Sequence, residues 1–147
     1  MDLTGIRSLD HTADVGLEVE APDLAGLFLR GARGMLWLMY GKEPSVPTAG
    51  GAVQLRAREV SLSAEDLDGL FRDWLREVLA WHDLEGKVPV GFPELSVHRG
   101  EAPALEARVL LGEHSEEPIR EIKGVTLHGL AVERAGDGWR ATVIFDV

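Results

Sequence analysis

Residues 8–21 read SLDHTADVGLEVEA, and two patterns meet in them. Val15, Leu17, Val19 and Ala21 alternate with small or acidic neighbours, the period of a strand with one face in a core. Ahead of them Asp10, His11, Thr12 and Asp14 crowd the mouth of this first strand. Asp and Thr suit a turn there, because they hydrogen-bond their own backbone. Carboxylates and an imidazole at a strand mouth also suit a metal ion. These residues alone favour the turn, and the metal stands as the alternative.

Downstream the period changes. Asp23 stands as an N-cap, and Leu24, Leu27, Phe28, Met35, Leu38 and Met39 fall on one helical stripe that Gly41 ends. A second stripe runs through Leu67, Leu70, Phe71, Trp74, Leu75, Val78 and Leu79. Ser63 and Asp66 precede it with capping-box spacing, and Gly86 ends it. Between the helices GKEPSVPTAGG is turn-rich, and Val53, Leu55 and Ala57 predict a strand. Beyond Gly86, alternation at Leu95 and Val97 and from Leu105 to Leu111 reads as strands. VTLHGLAVER and WRATVIFDV read as two more, joined by the turn AGDG. The order predicts an α+β fold, a single domain over residues 1–147 with mixed or antiparallel sheets and two main helices. Its two strand–helix–strand runs suggest a duplicated unit.

Composition narrows the function. A chain of 147 residues, 45% apolar and 27% charged, can bury a real core. Cysteine is absent, which removes disulfides, zinc–thiolate sites and thiol nucleophiles and makes a cytoplasmic home the default. No stretch is long and apolar enough to span a bilayer, so no membrane partner is expected. The net charge of −10 opposes direct contact with nucleic-acid phosphates. RDWLREVLAWHD alternates sign along a helix and reads as a solvated face.

Common catalytic patterns are missing. GMLWLMYGK ends in Gly-Lys, but the glycine spacing is too long for a phosphate-binding loop and Glu43 replaces its hydroxyl residue. His98 and His114 fall in or near turns and read as surface residues. His82 closes the second helix, where an imidazole meets the negative end of the dipole. At the terminus, VIFDV sets the Asp146 carboxylate beside the α-carboxylate of Val147, a group of oxygens that a hard divalent cation favours. Lys123 precedes a strand as an isolated lysine, able to neutralise carboxylates or reach a phosphate. With Val125 it is expected on one face of that strand and His128 on the other.

Taken together DHTADVGLEVEA, IKGVTLHGLAVE and the terminal VIFDV resemble the archease family, and the helix SAEDLDGLFRDWLREVLAWHD fits the family's second helix. The resemblance runs the whole length, although WLREVL lacks the Asn that often precedes the Glu. It implies strand–helix–strand–strand units and an accessory protein of tRNA splicing. Such a protein assists an RtcB-type RNA ligase, promoting GTP-dependent guanylylation of the ligase and multiple turnover, and meets tRNA only through it. It further implies a divalent metal ion (calcium, magnesium or manganese) held by Asp14, Asp146 and the terminal carboxylate of Val147, with Lys123 serving activation. Asp10 and His11 are then turn residues or lie behind the ligands. If the first strand's mouth meets the last strand's end, three carboxylates converge and repel, and a cation offsets that repulsion. The competing readings are a metal-dependent phosphoester hydrolase and a general protein-binding or chaperone module.

Overall fold

A computed structural model describes residues 3–10, 14–43 and 55–147, and of Asp10 the backbone alone. Strand β1 (Ile6–Asp10) precedes β2 (Asp14–Ala21), so the strand that opens the alternating pattern is the second. They pair antiparallel, with Asp10 opposite Val15. Then follow α1 (Leu24–Tyr40), β3 (Arg56–Ser63), α2 (Leu67–Glu85), β4 (Lys87–His98) and β5 (Ala104–Glu113). The chain continues with β6 (Gly124–Val125), β7 (Ala131–Ala135) and β8 (Gly138–Asp146).

Among the described residues the strands form two sheets, and every pairing is antiparallel. One has the order β1-β2-β8-β6, with β7 also on β8; the other has the order β3-β5-β4. The first strand–helix–strand run therefore crosses between sheets, whereas β3 and β4, linked by α2, flank β5 in one sheet.

Both helices begin and end on local chemistry. Asp23 and Asp66 each accept a bond from the backbone N–H three residues on, at 2.7 Å, and Gly41 and Gly86 close the helices in the left-handed conformation. Ser63 is not a cap: it ends β3, and Asp66 alone caps α2. The predicted strand at Val53, Leu55 and Ala57 is also shifted. Val53 lies outside the described residues, Leu55 and Ala57 are exposed, and β3 turns Val60 inward instead. A strand has period two, so an error of one residue exchanges its faces. The stretch VTLHGLAVER is likewise not one strand. It breaks after Val125 into a turn at Thr126–Leu130, where Gly129 has φ +69°, and resumes as β7. Thr126 anchors the break, its N–H and hydroxyl both donating to the Ile144 carbonyl at 3.0 Å. His128 sits exposed in this turn rather than on a strand face.

The core lies between sheets and helices. Leu17, Val19, Val143 and Phe145 meet Leu27, Phe28 and Met35 of α1 and Phe71, Trp74 and Leu75 of α2. Phe28 and Phe71 cross edge to face at 5.1 Å. Trp74 is fully buried and donates its indole N–H to the Phe28 carbonyl at 2.8 Å. At the other end Arg58 of β3 holds Glu85 of α2 through two bonds of 2.8 and 3.0 Å. That contact raises the guanidinium's proton affinity and lowers the carboxylate's.

Close approach of the helices depends on Gly31, where a Cβ would lie 2.6 Å from Cζ of Phe71. Gly31→Ala is expected to push the helices apart and lower stability by about 1–3 kcal/mol, the usual cost of overpacking. Urea unfolding of the variant measures it.

Candidate metal centre

The β2–β8 ladder runs from Ala21 opposite Trp139 to Asp14 opposite Asp146. Its alternation sends Val15, Leu17 and Val19, with Phe145, Val143 and Ala141, into the core. The same register leaves Asp14 and Asp146 side by side at the end of the sheet. Like charges placed directly opposite on neighbouring strands destabilise a sheet. Neither carboxylate forms an ion pair with a cation among the described residues, and Oδ1 of Asp14 is buried with no hydrogen-bond partner. A buried carboxylate oxygen without a donor is costly unless something electropositive meets it.

On the other side of β8, Gly124 of β6 pairs with Asp146. A Cβ at Gly124 would come within 3.8 Å of Asp146 Oδ2, so the carboxylate lies over this glycine. The Lys123 N–H donates to the Asp146 carbonyl at 2.8 Å, which ties the lysine's backbone to the acidic pair. The register thus sets Asp14 beside Asp146 with the backbone of Lys123 next to them, and Val147, whose carboxylate is expected to complete the group, follows Asp146 directly with 37% exposure. Among the described residues no three His, Cys, Asp or Glu side chains converge as a metal site. The pair needs a further donor such as the Val147 carboxylate. His11 and the side chain of Asp10 lie outside the described residues. Two adjacent carboxylates, one with an orphaned buried oxygen, fit a hard divalent cation better than zinc.

Beside the pair runs an open groove of about 580 Å³, lined by Arg76, Leu79, Ala80, Asp83 and Leu84 of α2, by 123–126, and by Asp146. The sequence reading treats this stretch of α2 as a solvated face and misses Arg76, Asp83 and Leu84. The available signal is their spacing with Ala80, which puts them on one side of the helix.

Asp83 connects to a second cluster. Tyr40 Oη lies 2.6 Å from His82 Nε2, and His82 Nδ1 lies 3.0 Å from Asp83 Oδ1. Asp83 can only accept when ionised, so His82 donates from Nδ1 and accepts the Tyr40 hydroxyl at Nε2. His114 is half-buried rather than free on the surface: it stacks on His82 with centroids 4.9 Å apart and bonds the Glu116 carbonyl through Nδ1. His82 therefore has specific partners beyond the helix dipole. Burial first, then Glu117, Glu116 and Asp83, push the Tyr40 hydroxyl up to about 12. In the unfolded chain it ionises near 10, so the folded form binds more protons between these values. Stability should fall as pH rises from about 10 to about 12. Thermal melts across that range test this, and Tyr40→Phe should remove the dependence on this group.

The Archease protein family model matches residues 7–147. The chain belongs to the archease family. The curated "Protein archease" of Thermococcus kodakarensis is 30% identical over 143 residues, which cover 94% of this chain and 95% of that protein. The "Protein archease" of Archaeoglobus fulgidus is 30% identical over 142 residues, covering 96% of this chain and 98% of that one. Two solved structures share the fold. The solution structure of Methanobacterium thermoautotrophicum protein 1598 superposes with TM-score 0.71 at 24% identity, covering 97% of this chain and 99% of that one. The crystal structure of "an archease, possible chaperone" from Thermotoga maritima gives TM-score 0.63 at 23% identity, covering 96% of each chain. The α+β architecture of two helices and two antiparallel sheets is thus an archease fold. Among the described residues no helix is long and apolar enough to cross a membrane.

Proposed function

We propose that this archease is a cytoplasmic accessory protein that binds a divalent cation at Asp14, Asp146 and the Val147 carboxylate and activates an RtcB-type RNA ligase. One observation carries the reading: Asp14 and Asp146 face each other across β2 and β8, and Asp14 keeps a buried oxygen without a partner among the described residues. When bound, the cation would neutralise the carboxylates and act as a Lewis acid towards phosphate oxygens. The chain's own residues do the rest. Asp14 and Asp146 fix the position of the charge, and the β8 carbonyl fixes the backbone of Lys123 beside it. The Lys123 ammonium, on an exposed residue, supplies a compact positive charge that can meet a phosphate or a carboxylate of the ligase. RNA is reached through the ligase, because a net charge of −10 repels its phosphates.

The deciding experiment is guanylylation of the cognate ligase by GTP with and without this protein. Stimulation that needs a divalent cation supports the proposal. Phosphoester turnover by the protein alone would favour the hydrolase, and stimulation insensitive to the acidic pair would favour a chaperone. Lys123→Ala should leave stability within about 0.5 kcal/mol, as exposed substitutions usually do. It should still sharply lower ligase guanylylation. Thermal melts paired with the ligase assay check both halves.

A further inference from the structure

Helix α2 has two working faces. Leu70, Phe71, Trp74, Leu75 and Val78 fill the core. Arg76, Ala80, Asp83 and Leu84 stand at i, i+4, i+7 and i+8 and line the groove with Lys123 and Asp146. Leu84 is 84% exposed, more than any other large apolar side chain among the described residues. A lone exposed leucine is ordinary. This one stands at the rim of a groove whose wall also carries Leu79 and Ala80, so it extends an apolar strip into solvent.

The protein has 25 acidic side chains against 15 basic ones, and Arg7, Lys42, Arg58, Arg72, Arg108 and Arg140 all pair with carboxylates. Neither Arg76 nor Lys123 has a carboxylate within ion-pair distance among the described residues. Arg76 reaches only the Val125 carbonyl, at 3.4 Å. The one acidic side chain of α2 in the groove, Asp83, is engaged with His82 at 3.0 Å. Two cations free of carboxylate partners among the described residues, in a groove with an apolar wall, are complementary to an apolar segment that carries its own carboxylates.

We propose that the groove face of α2 is the docking surface for the partner enzyme, with Leu84 as apolar anchor and Arg76 and Lys123 receiving carboxylates of the docked segment. This rests on the reading of the chain as a ligase activator and adds where the ligase is held. Docking here puts the partner directly beside the acidic pair. Leu84 takes the part of a buried anchor, which the cations orient and flank.

The test uses the full chain and the purified cognate ligase. Leu84→Asp, Leu84→Met and Arg76→Glu are compared with the parent for ligase affinity by interferometry, for thermal stability, and for manganese binding by calorimetry. Leu84→Asp and Arg76→Glu should each weaken ligase binding at least about tenfold, and Leu84→Met should retain most of it. All three should melt and bind manganese as the parent does. Parent-like ligase affinity in Leu84→Asp would overturn this inference and leave the activator reading standing. A parent that neither binds nor stimulates the ligase would overturn both. Sedimentation showing a parental dimer that Leu84→Asp dissolves would assign the surface to a second copy and overturn the proposed occupant.

Discussion

Asp146→Ala should weaken divalent-cation binding by at least about a hundredfold, since losing a ligand costs no less than losing the groups behind it. Ligase stimulation should fall to the unassisted level in the same variant, while the melting curve of the metal-free protein stays in place or shifts slightly upward. The expectation follows from position. Asp146 ends β8, its side chain is exposed, and the bonds that hold β6 and Lys123 to this residue use its backbone. Removing the carboxylate also relieves its repulsion with Asp14, so a small gain in stability of the metal-free protein is compatible with loss of function. Extending the chain past Val147 by a short tag provides a companion measurement. It moves the α-carboxylate away by about 3.3 Å per strand residue, and it should impair cation binding if that group is a ligand. Calorimetry with manganese and calcium, followed by guanylylation assays, decides the matter; unchanged binding in Asp146→Ala would remove the acidic pair from the proposal.

Trp74→Ala should have the largest effect on folding. The indole is fully buried between the helices and sheets, edge to face with Trp81 at 6.1 Å, and its N–H satisfies the Phe28 carbonyl of α1. Truncation opens a cavity worth about 3–5 kcal/mol and leaves that carbonyl with one acceptor site unfilled. Domains of this kind hold about 5–15 kcal/mol in all, so the variant should be unfolded or nearly so at moderate temperature. Trp74→Phe keeps most of the volume but loses the donor, and should fall between. Urea titration of the two variants separates packing from hydrogen bonding.

What the sequence discloses depends on how local the cause is. Both helices are legible because cap, stripe and stop lie within one stretch, as in Asp23, the Leu24–Met39 positions and Gly41. The capping-box spacing from Ser63 misleads because Asp66 is itself a cap and comes later. The phase of β3 is not legible, since Leu55 and Ala57 are apolar enough to suggest an inward face while pairing with β5 sets the opposite one. The break after Val125 is hidden because VTLHGLAV is good strand sequence; a glycine at φ +69° and two bonds from Thr126 decide otherwise. At the candidate site, Asp14, Asp146 and Lys123 are singled out by motifs; Asp14 meets Asp146 because β2 pairs with β8, and the backbone of Lys123 comes beside them because β6 also pairs with β8. Arg76 and Leu84 stay hidden because nothing in α2 alone says which strand lies beside it. The stacking of His82 and His114 is a tertiary event between distant segments, and neither neighbourhood announces it.

Strand β8 holds the middle of its sheet, bonded to β2 on one side and to β6 and β7 on the other. A ribosome delivers it after every one of those neighbours. At common rates of synthesis β2 waits on the order of ten seconds before its partner leaves the exit tunnel. Through that interval the β1–β2 hairpin has an open edge, the type of surface on which nascent chains stick to one another. A nascent chain halted before β8 lacks Asp146 as well as the strand that joins the sheet, so an aborted translation product can neither complete the sheet nor form the Asp14–Asp146 pair.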